Sequence, residues 1–366
     1  MRLSCFSGVV VLVAGLAGTA QTAKQVSPHA YVEEALNYMQ DNALHKSSID
    51  WQAVREQTLA RAKDAKTTWD TYPAIAYAIT QLGEKHTWFQ LPDNLPADRR
   101  QALDAEIKRI LARPDPLKPS PFMPSKQMEG RMIHGPHGDF AYVIVPMCIG
   151  RFAEWEKNGP DFQQFADKLH GLVLGLQAQK PLGWIIDLRG NSGGNVWPML
   201  AGIGVVLGEA DLLGASVSAD NEHLQSFYKN GMAGTRDSKG IEEVAAQVKL
   251  LPLTLPELPW VALLLDRGTA SSGEAVAISF VGRIRERSFG EHTAGFSTAN
   301  DMHQFPDGAA LFLCTGIAQD RTGKLYPNGL DPDEIIRAPE TRPDEANDAA
   351  LIAAEQWLAK EATGSR

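Results

Sequence analysis

Residues 184–195 read WIIDLRGNSGGN, and the fold is decided there. Residues 184–188 form a short, continuous, largely apolar run, as a strand buried on both faces requires. The run stops at a Gly-rich turn, and a helical stretch follows over 198–206. The same arrangement recurs at 261–274, VALLLDRGTASSGE, where an apolar run meets a turn of small residues and a second helical stretch begins at 273–282. Turns of this kind aim backbone N–H groups and small side chains at one point. Hydrolytic chemistry needs a nucleophile and an oxyanion site at such a point.

Outward from these units, strands continue to alternate with helices, which indicates an α/β core. Residues 140–147, FAYVIVPM, read as a strand, and Phe162, Phe165, Leu169, Leu172 and Leu176 share one helix face. Another strand is expected over 309–317 and a closing helix over 344–362. Residues 215–258 read as an insertion with a helix near 241–249. Ahead of the core, residues 27–83 read as three helices. Ser27-Pro28 and Asp50 suit helix starts, and Gly83 suits a helix end. His86 then lies just past the third helix, in GEKHTWF (83–89). The segment 92–138 is rich in Pro and charge, with one helix near 98–112. The expected organisation is therefore a helical N-terminal domain over 27–91 carrying His86, a connecting segment over 92–138, an α/β core over 139–342 and a C-terminal helix over 343–366.

The 366 residues are 44% hydrophobic, enough for a substantial core, and carry a formal net charge of −9. With no Lys/Arg stripe, nucleic acid and anionic membrane surfaces are not expected as main partners. At the N-terminus, Arg2 precedes an apolar stretch over 9–17, and Gly18 and Ala20 suit cleavage after Ala20. This predicts a signal peptide over 1–20 and an exported, periplasmic or secreted, chain; the alternative is an uncleaved anchor. Cys148 and Cys314 remain after cleavage, as one disulfide or as two buried thiols.

Ser271 lies between a strand end and a helix start. Its hydroxyl could attack a carbonyl while the Ser272 amide receives the developing oxyanion. Ser271 with Glu274 three residues on is equally a capping box, which needs no catalysis. Gly193 and Gly194 let the backbone approach a ligand, or simply make a tight turn. The P-loop lysine and the dinucleotide glycine spacing are both absent. His86 is one histidine among nine, and none forms an HExxH pair.

Taken in order, GEKHT, DLRGNSGG (187–194), TASSGE (269–274), GEHTAGFSTAN (290–300) and GLDPDE (329–334) resemble the tail-specific, or carboxyl-terminal processing, serine peptidases. The resemblance runs from about residue 30 to the closing helix. It implies a crotonase/ClpP-like spiral α/β core. Many members use a Ser-Lys dyad with the lysine in a segment like GEHTAGFSTAN. Here that position holds Phe296, and the segment has no lysine. The other plan, that of tricorn-type proteases and echoed in the interphotoreceptor retinoid-binding protein modules, takes a histidine from the N-terminal segment. The resemblance thus implies Ser271 as nucleophile, His86 as general base, and Gly193 or Gly194 with the Ser272 amide as oxyanion hole. Tricorn-type enzymes orient the base with a serine beside it and a glutamate before the GxxPD-like segment. Here Lys85 precedes the histidine and Tyr326 falls near the glutamate position, which leaves Tyr326, Thr87, Glu84 and Asp331 as orienting candidates. No PDZ-like module is recognisable in 92–138.

The expected function is a serine-type peptidase acting on a peptide or protein substrate, without metal or organic cofactor and without an integral membrane partner. The alternative is a non-catalytic protein on the same scaffold that holds a peptide or a lipid-like ligand. Oligomeric state is left open.

Overall fold

A computed structural model describes residues 26–112, 120–123, 125, 127–136, 138–150, 159–250, 253 and 255–364. The expected signal peptide lies outside the described residues. The chain opens with α1 (Pro28–Asn42), α2 (Trp51–Ala62) and α3 (Tyr72–Thr80). Ser27 and Asp50 cap α1 and α2 by accepting the Ala30 and Ala53 amides. Next come β1 (Trp88–Gln90), α4 (Ala97–Ile110), β2 (Glu129–Gly135), β3 (Gly138–Ile144), α5 (Pro160–Gln177), β4 (Gly183–Asp187) and α6 (Val196–Leu207). Four strands follow, β5 (Ala210–Ser218), β6 (His223–Lys229), β7 (Met232–Arg236) and β8 (Glu242–Gln247), then β9 (Val261–Leu265), α7 (Ser272–Phe280) and β10 (Glu286–Gly290). The chain closes with β11 (Thr298–Gln304), β12 (Ala310–Asp320), β13 (Leu325–Tyr326), β14 (Glu334–Ile335) and α8 (Ala349–Gly364).

The central sheet has six strands in the order β14-β10-β9-β4-β3-β2, all parallel except the β2–β3 pair. Alternate residues of its strands face two cores. Val143, Trp184, Ile186, Leu263 and Leu265 pack with residues of α5, α6 and α7, whereas Tyr142, Ile185, Ala262, Leu264 and Phe289 pack with α8. Burial on both faces is why β4 and β9 read as unbroken apolar runs. The α/β expectation, with helices ahead of it, is what the chain folds into.

The second sheet runs β1-β12-β5-β6-β7-β8, with β11 and β13 also on β12. Its β12 and the turn before it join the N-terminal helices to the rest: Phe305, Leu311 and Leu313 share one core with Tyr31, Leu36, Tyr72, Ile75 and Phe89. The helix expected near 241–249 is a correction, since Glu242–Gln247 is strand β8, antiparallel to β7. Its Glu and Ala residues favour a helix, but the ladder to β7 overrides that weak preference. The connecting segment also contributes an edge strand, β2. Cys148 and Cys314 are both free and buried, and burial pushes each thiol up to about 12.

Candidate active site

Two strand ends of the central sheet supply the floor of the site. At the end of β4, the Arg189 guanidinium is buried and binds Asp187 (Nη2–Oδ2 2.7 Å) and Asp348 (Nη1–Oδ2 2.7 Å). Burial works against ionisation of Asp187, but the adjacent guanidinium outweighs it and holds the carboxyl below its usual range. Asp348 also accepts the Leu351 amide at the start of α8, so the closing helix is tied to the turn. Beyond Arg189, the Asn191 side chain accepts the Gly193 N–H at 2.9 Å. The turn then crosses Cys148, whose N–H donates to Gly193 O (3.0 Å) and whose carbonyl accepts the Asn195 N–H (2.8 Å). A Cβ on Gly193 would lie 2.7 Å from Ser271 Cβ and 3.1 Å from its Oγ; one on Gly194 would lie 2.1 Å from the Cys148 carbonyl oxygen. Glycine is therefore required at 193 by the serine and at 194 by the neighbouring chain.

At the end of β9, Ser271 precedes α7 with φ 53° and ψ −120°, a conformation that costs an L-residue roughly 1–3 kcal/mol. Glu274 holds this turn. Its Oε2 accepts the Ser271 N–H (2.9 Å) and the Phe296 N–H (2.8 Å), and its Oε1 accepts the Gly295 N–H (2.8 Å) and the Thr293 hydroxyl (2.6 Å). Glu274 is fully buried, and burial raises its carboxyl above the usual range against four hydrogen bonds that favour the ionised form. The carboxylate thus joins the serine turn to the segment 293–296. The Gly194 and Ser272 N–H groups have no acceptor among the described residues, while the Ser272 hydroxyl donates to Gly194 O (2.5 Å).

His86 enters from the segment after α3. Its Nε2 lies 3.0 Å from Ser271 Oγ and its Nδ1 lies 2.8 Å from Thr298 Oγ1. The ring is 9% exposed and packs edge-on against Phe296, with centroids 5.4 Å apart. The four orienting candidates fall elsewhere. Glu84 accepts the backbone N–H groups of His86 and Thr87, and the Thr87 hydroxyl accepts the Cys314 N–H (2.9 Å). Tyr326 donates to Asp320 (2.7 Å), and Asp331 pairs with His292 (2.7 Å). The Nδ1 partner, Thr298, lies inside GEHTAGFSTAN, but no local spacing marks it. Among the described residues, no three His, Cys, Asp or Glu side chains group as metal ligands would.

This geometry can move a proton from a serine hydroxyl to an imidazole beside free backbone donors. A family model described as peptidase family S41 matches residues 149–336, more than half of the chain. The chain belongs to peptidase family S41. It is 25% identical over 308 residues to the nisin-resistance protein of Lactococcus lactis subsp. lactis, covering 84% of this chain and 83% of that one. Its fold is similar to a lipoprotein from Streptococcus agalactiae (TM-score 0.66, 22% identity, 96% and 100% of the two chains covered). It is also similar to the photosystem II D1 C-terminal processing protease (TM-score 0.54, 16% identity, 92% and 98% covered). Membership of this family accords with the tail-specific resemblance read from the motifs.

Proposed function

We propose that the chain is an exported serine peptidase that cleaves peptide bonds through an acyl-enzyme on Ser271. The observation that carries this reading is the 3.0 Å contact between His86 Nε2 and Ser271 Oγ. Neutral His86 takes the hydroxyl proton as Oγ attacks the peptide carbonyl carbon. The oxyanion is received by the Ser272 N–H at the positive end of α7, with the Gly194 N–H from the facing turn. His86 then gives its proton to the leaving amine, and water activated by the same imidazole clears the acyl group. Gly193, whose N–H is held by Asn191, shapes the space beside Oγ. A peptide substrate is supported by the family, which is a peptidase family. Export rests on the N-terminal sequence and accords with a fold relative described as a lipoprotein. No helix among the described residues is long and apolar enough to cross a membrane.

Treatment with a fluorophosphonate, followed by peptide mapping, tests the reading. The adduct is expected on Ser271. Ser271→Ala should abolish both labelling and peptide hydrolysis, and His86→Gln should reduce turnover by roughly 100- to 10,000-fold. Labelling at Ser272 or Ser192 with Ser271 unmodified would overturn the assignment. A binding protein on this scaffold would take no label and would hydrolyse no peptide.

A further inference from the structure

We infer that β11 is a positioning strand for the base: Thr298 fixes the His86 imidazole through Nδ1, Asn300 fixes its backbone, and a neutral hydroxyl stands where a charged orienting group would otherwise be. The inference rests on the Ser271–His86 reading above. Residues 298 and 300 are two apart on one strand and so share a face. The pairing irregularity at this point leaves that spacing intact: Ala299 pairs with Gly316 and Asn300 with Cys314, so the extra residue, Thr315, belongs to β12. Thr298 Oγ1 meets Nδ1 at 2.8 Å, and Asn300 Nδ2 donates to the His86 carbonyl at 2.7 Å. Glu84 accepts the His86 N–H from the opposite side. Both the ring and the backbone of His86 are therefore held at both ends.

The hydroxyl partner sets the tautomer. To accept the Ser271 proton, Nε2 must be bare, so the ring proton sits on Nδ1 and Thr298 Oγ1 accepts it. The imidazolium formed during the reaction then meets a hydroxyl, not a carboxylate, at Nδ1. Among the described residues, the titratable groups on the segments packed against it include Glu84, engaged with two backbone amides; Lys85, whose Nζ lies 5.4 Å from the Phe296 ring centroid; Glu274, occupied by four donors; and Cys314, a buried thiol that burial keeps neutral. A carboxylate brought to Nδ1 should favour the imidazolium and move the His86 titration to higher pH.

Three substitutions at residue 298 test this, read by the pH profile of kcat/KM and by NMR titration of the His86 ring. Thr298→Ser keeps the hydroxyl and should retain turnover. Thr298→Val is nearly isosteric and should lower kcat by about 10- to 100-fold with KM little changed. Thr298→Asp should move the acid limb, and the NMR titration of His86, to higher pH by about one unit or more. Wild-type kcat with an unmoved acid limb in Thr298→Val would overturn the proposal. So would an unmoved His86 titration in Thr298→Asp. The NMR arm needs no substrate, so it decides the role of Thr298 even if the chain hydrolyses no peptide.

Discussion

The nucleophile and the base of this site are held by contrasting means. Ser271 owes its position chiefly to its own turn, a strained backbone and a glutamate three residues on, with Gly193 of the facing turn leaving room for its side chain. His86 owes its position to distant partners. Thr298 is 212 positions away, Asn300 is 214, and Ser271 itself is 185. The comparison teaches that one half of a catalytic pair can be built locally while the other is assembled only when the whole chain folds. The nucleophile half should therefore respond to changes at single turns. The base half should respond to anything that loosens the N-terminal helices from the β11–β12 hairpin.

The largest effect is expected on the nucleophile side, from the two glycines of the DLRGNSGG turn. Sequence alone gives Gly193 and Gly194 the same role, but the structure separates them. An added methyl at 193 presses on the serine, and one at 194 presses on the Cys148 backbone. Gly193→Ala should lower kcat by roughly 100-fold, because misplacing a reacting group by an ångström costs about that much. Its melting temperature should fall much less than that of Gly194→Ala, in which stability and turnover drop together. Parallel thermal melts and single-turnover rates check the split. Equal losses of stability in the two variants would erase it.

How much of this is legible in the sequence follows from the same contrast. The doubly buried strands β4 and β9 declare themselves as apolar runs, and the turns after them carry the motif residues, so Ser271 and the glycine turn can be found without a structure. His86 is found through the resemblance, because a histidine after a helix end is not otherwise distinctive. Thr298 escapes a reading of the sequence. Strand periodicity says which residues share a face, but not what that face meets across 212 positions. Glu274 is legible as a cap, whereas its bonds to Thr293, Gly295 and Phe296 require the fold. The β5–β8 meander is misread in part because Glu and Ala in 242–247 favour a helix until β7 pairs with them.

The base half has its own weak point at Asp307, in the turn between β11 and β12. Its carboxylate accepts the hydroxyls of Tyr31 (2.7 Å) on α1 and Tyr72 (2.8 Å) on α3. Burial, together with the Asp307 carboxylate, pushes both tyrosines far above their usual range, so they stay neutral donors. Asp307→Ala takes a charged acceptor from two part-buried hydroxyls and should cost roughly 2–5 kcal/mol. Turnover should fall in proportion to the fraction of chains whose helices detach, and Ser271 labelling should fall with it. Hydrogen exchange should localise the loosening to 28–90 and spare β4 and β9. Uniform deprotection would mean that the two halves are a single cooperative unit.

The smallest effect sharpens the comparison within the nucleophile half, where two glutamates with buried carboxyl oxygens differ in their partners. Glu274 is saturated by four donors, whereas Glu286 on β10 has a buried Oε1 with no hydrogen-bond partner among the described residues. Burial, aided by Asp333, pushes the Glu286 carboxyl up from 4.5 to about 8. The sign of its effect on stability follows from linkage. Between these two values the folded chain keeps a proton that the unfolded chain has released, so this group makes stability fall as pH rises from about 4.5 to about 8, with no further change above. Glu286→Gln carries no charge in either state and should remove that slope. The variant should match the wild type near pH 4 and exceed it by at least about 1 kcal/mol near pH 9, since a tenfold change in proton affinity corresponds to about 1.4 kcal/mol. Chemical denaturation of both chains across this range, read as a difference, isolates the group from every other titration. A difference that stays flat with pH would show that Glu286 ionises freely in the folded chain. The nucleophile half would then hold only one glutamate, Glu274, whose charge the fold controls.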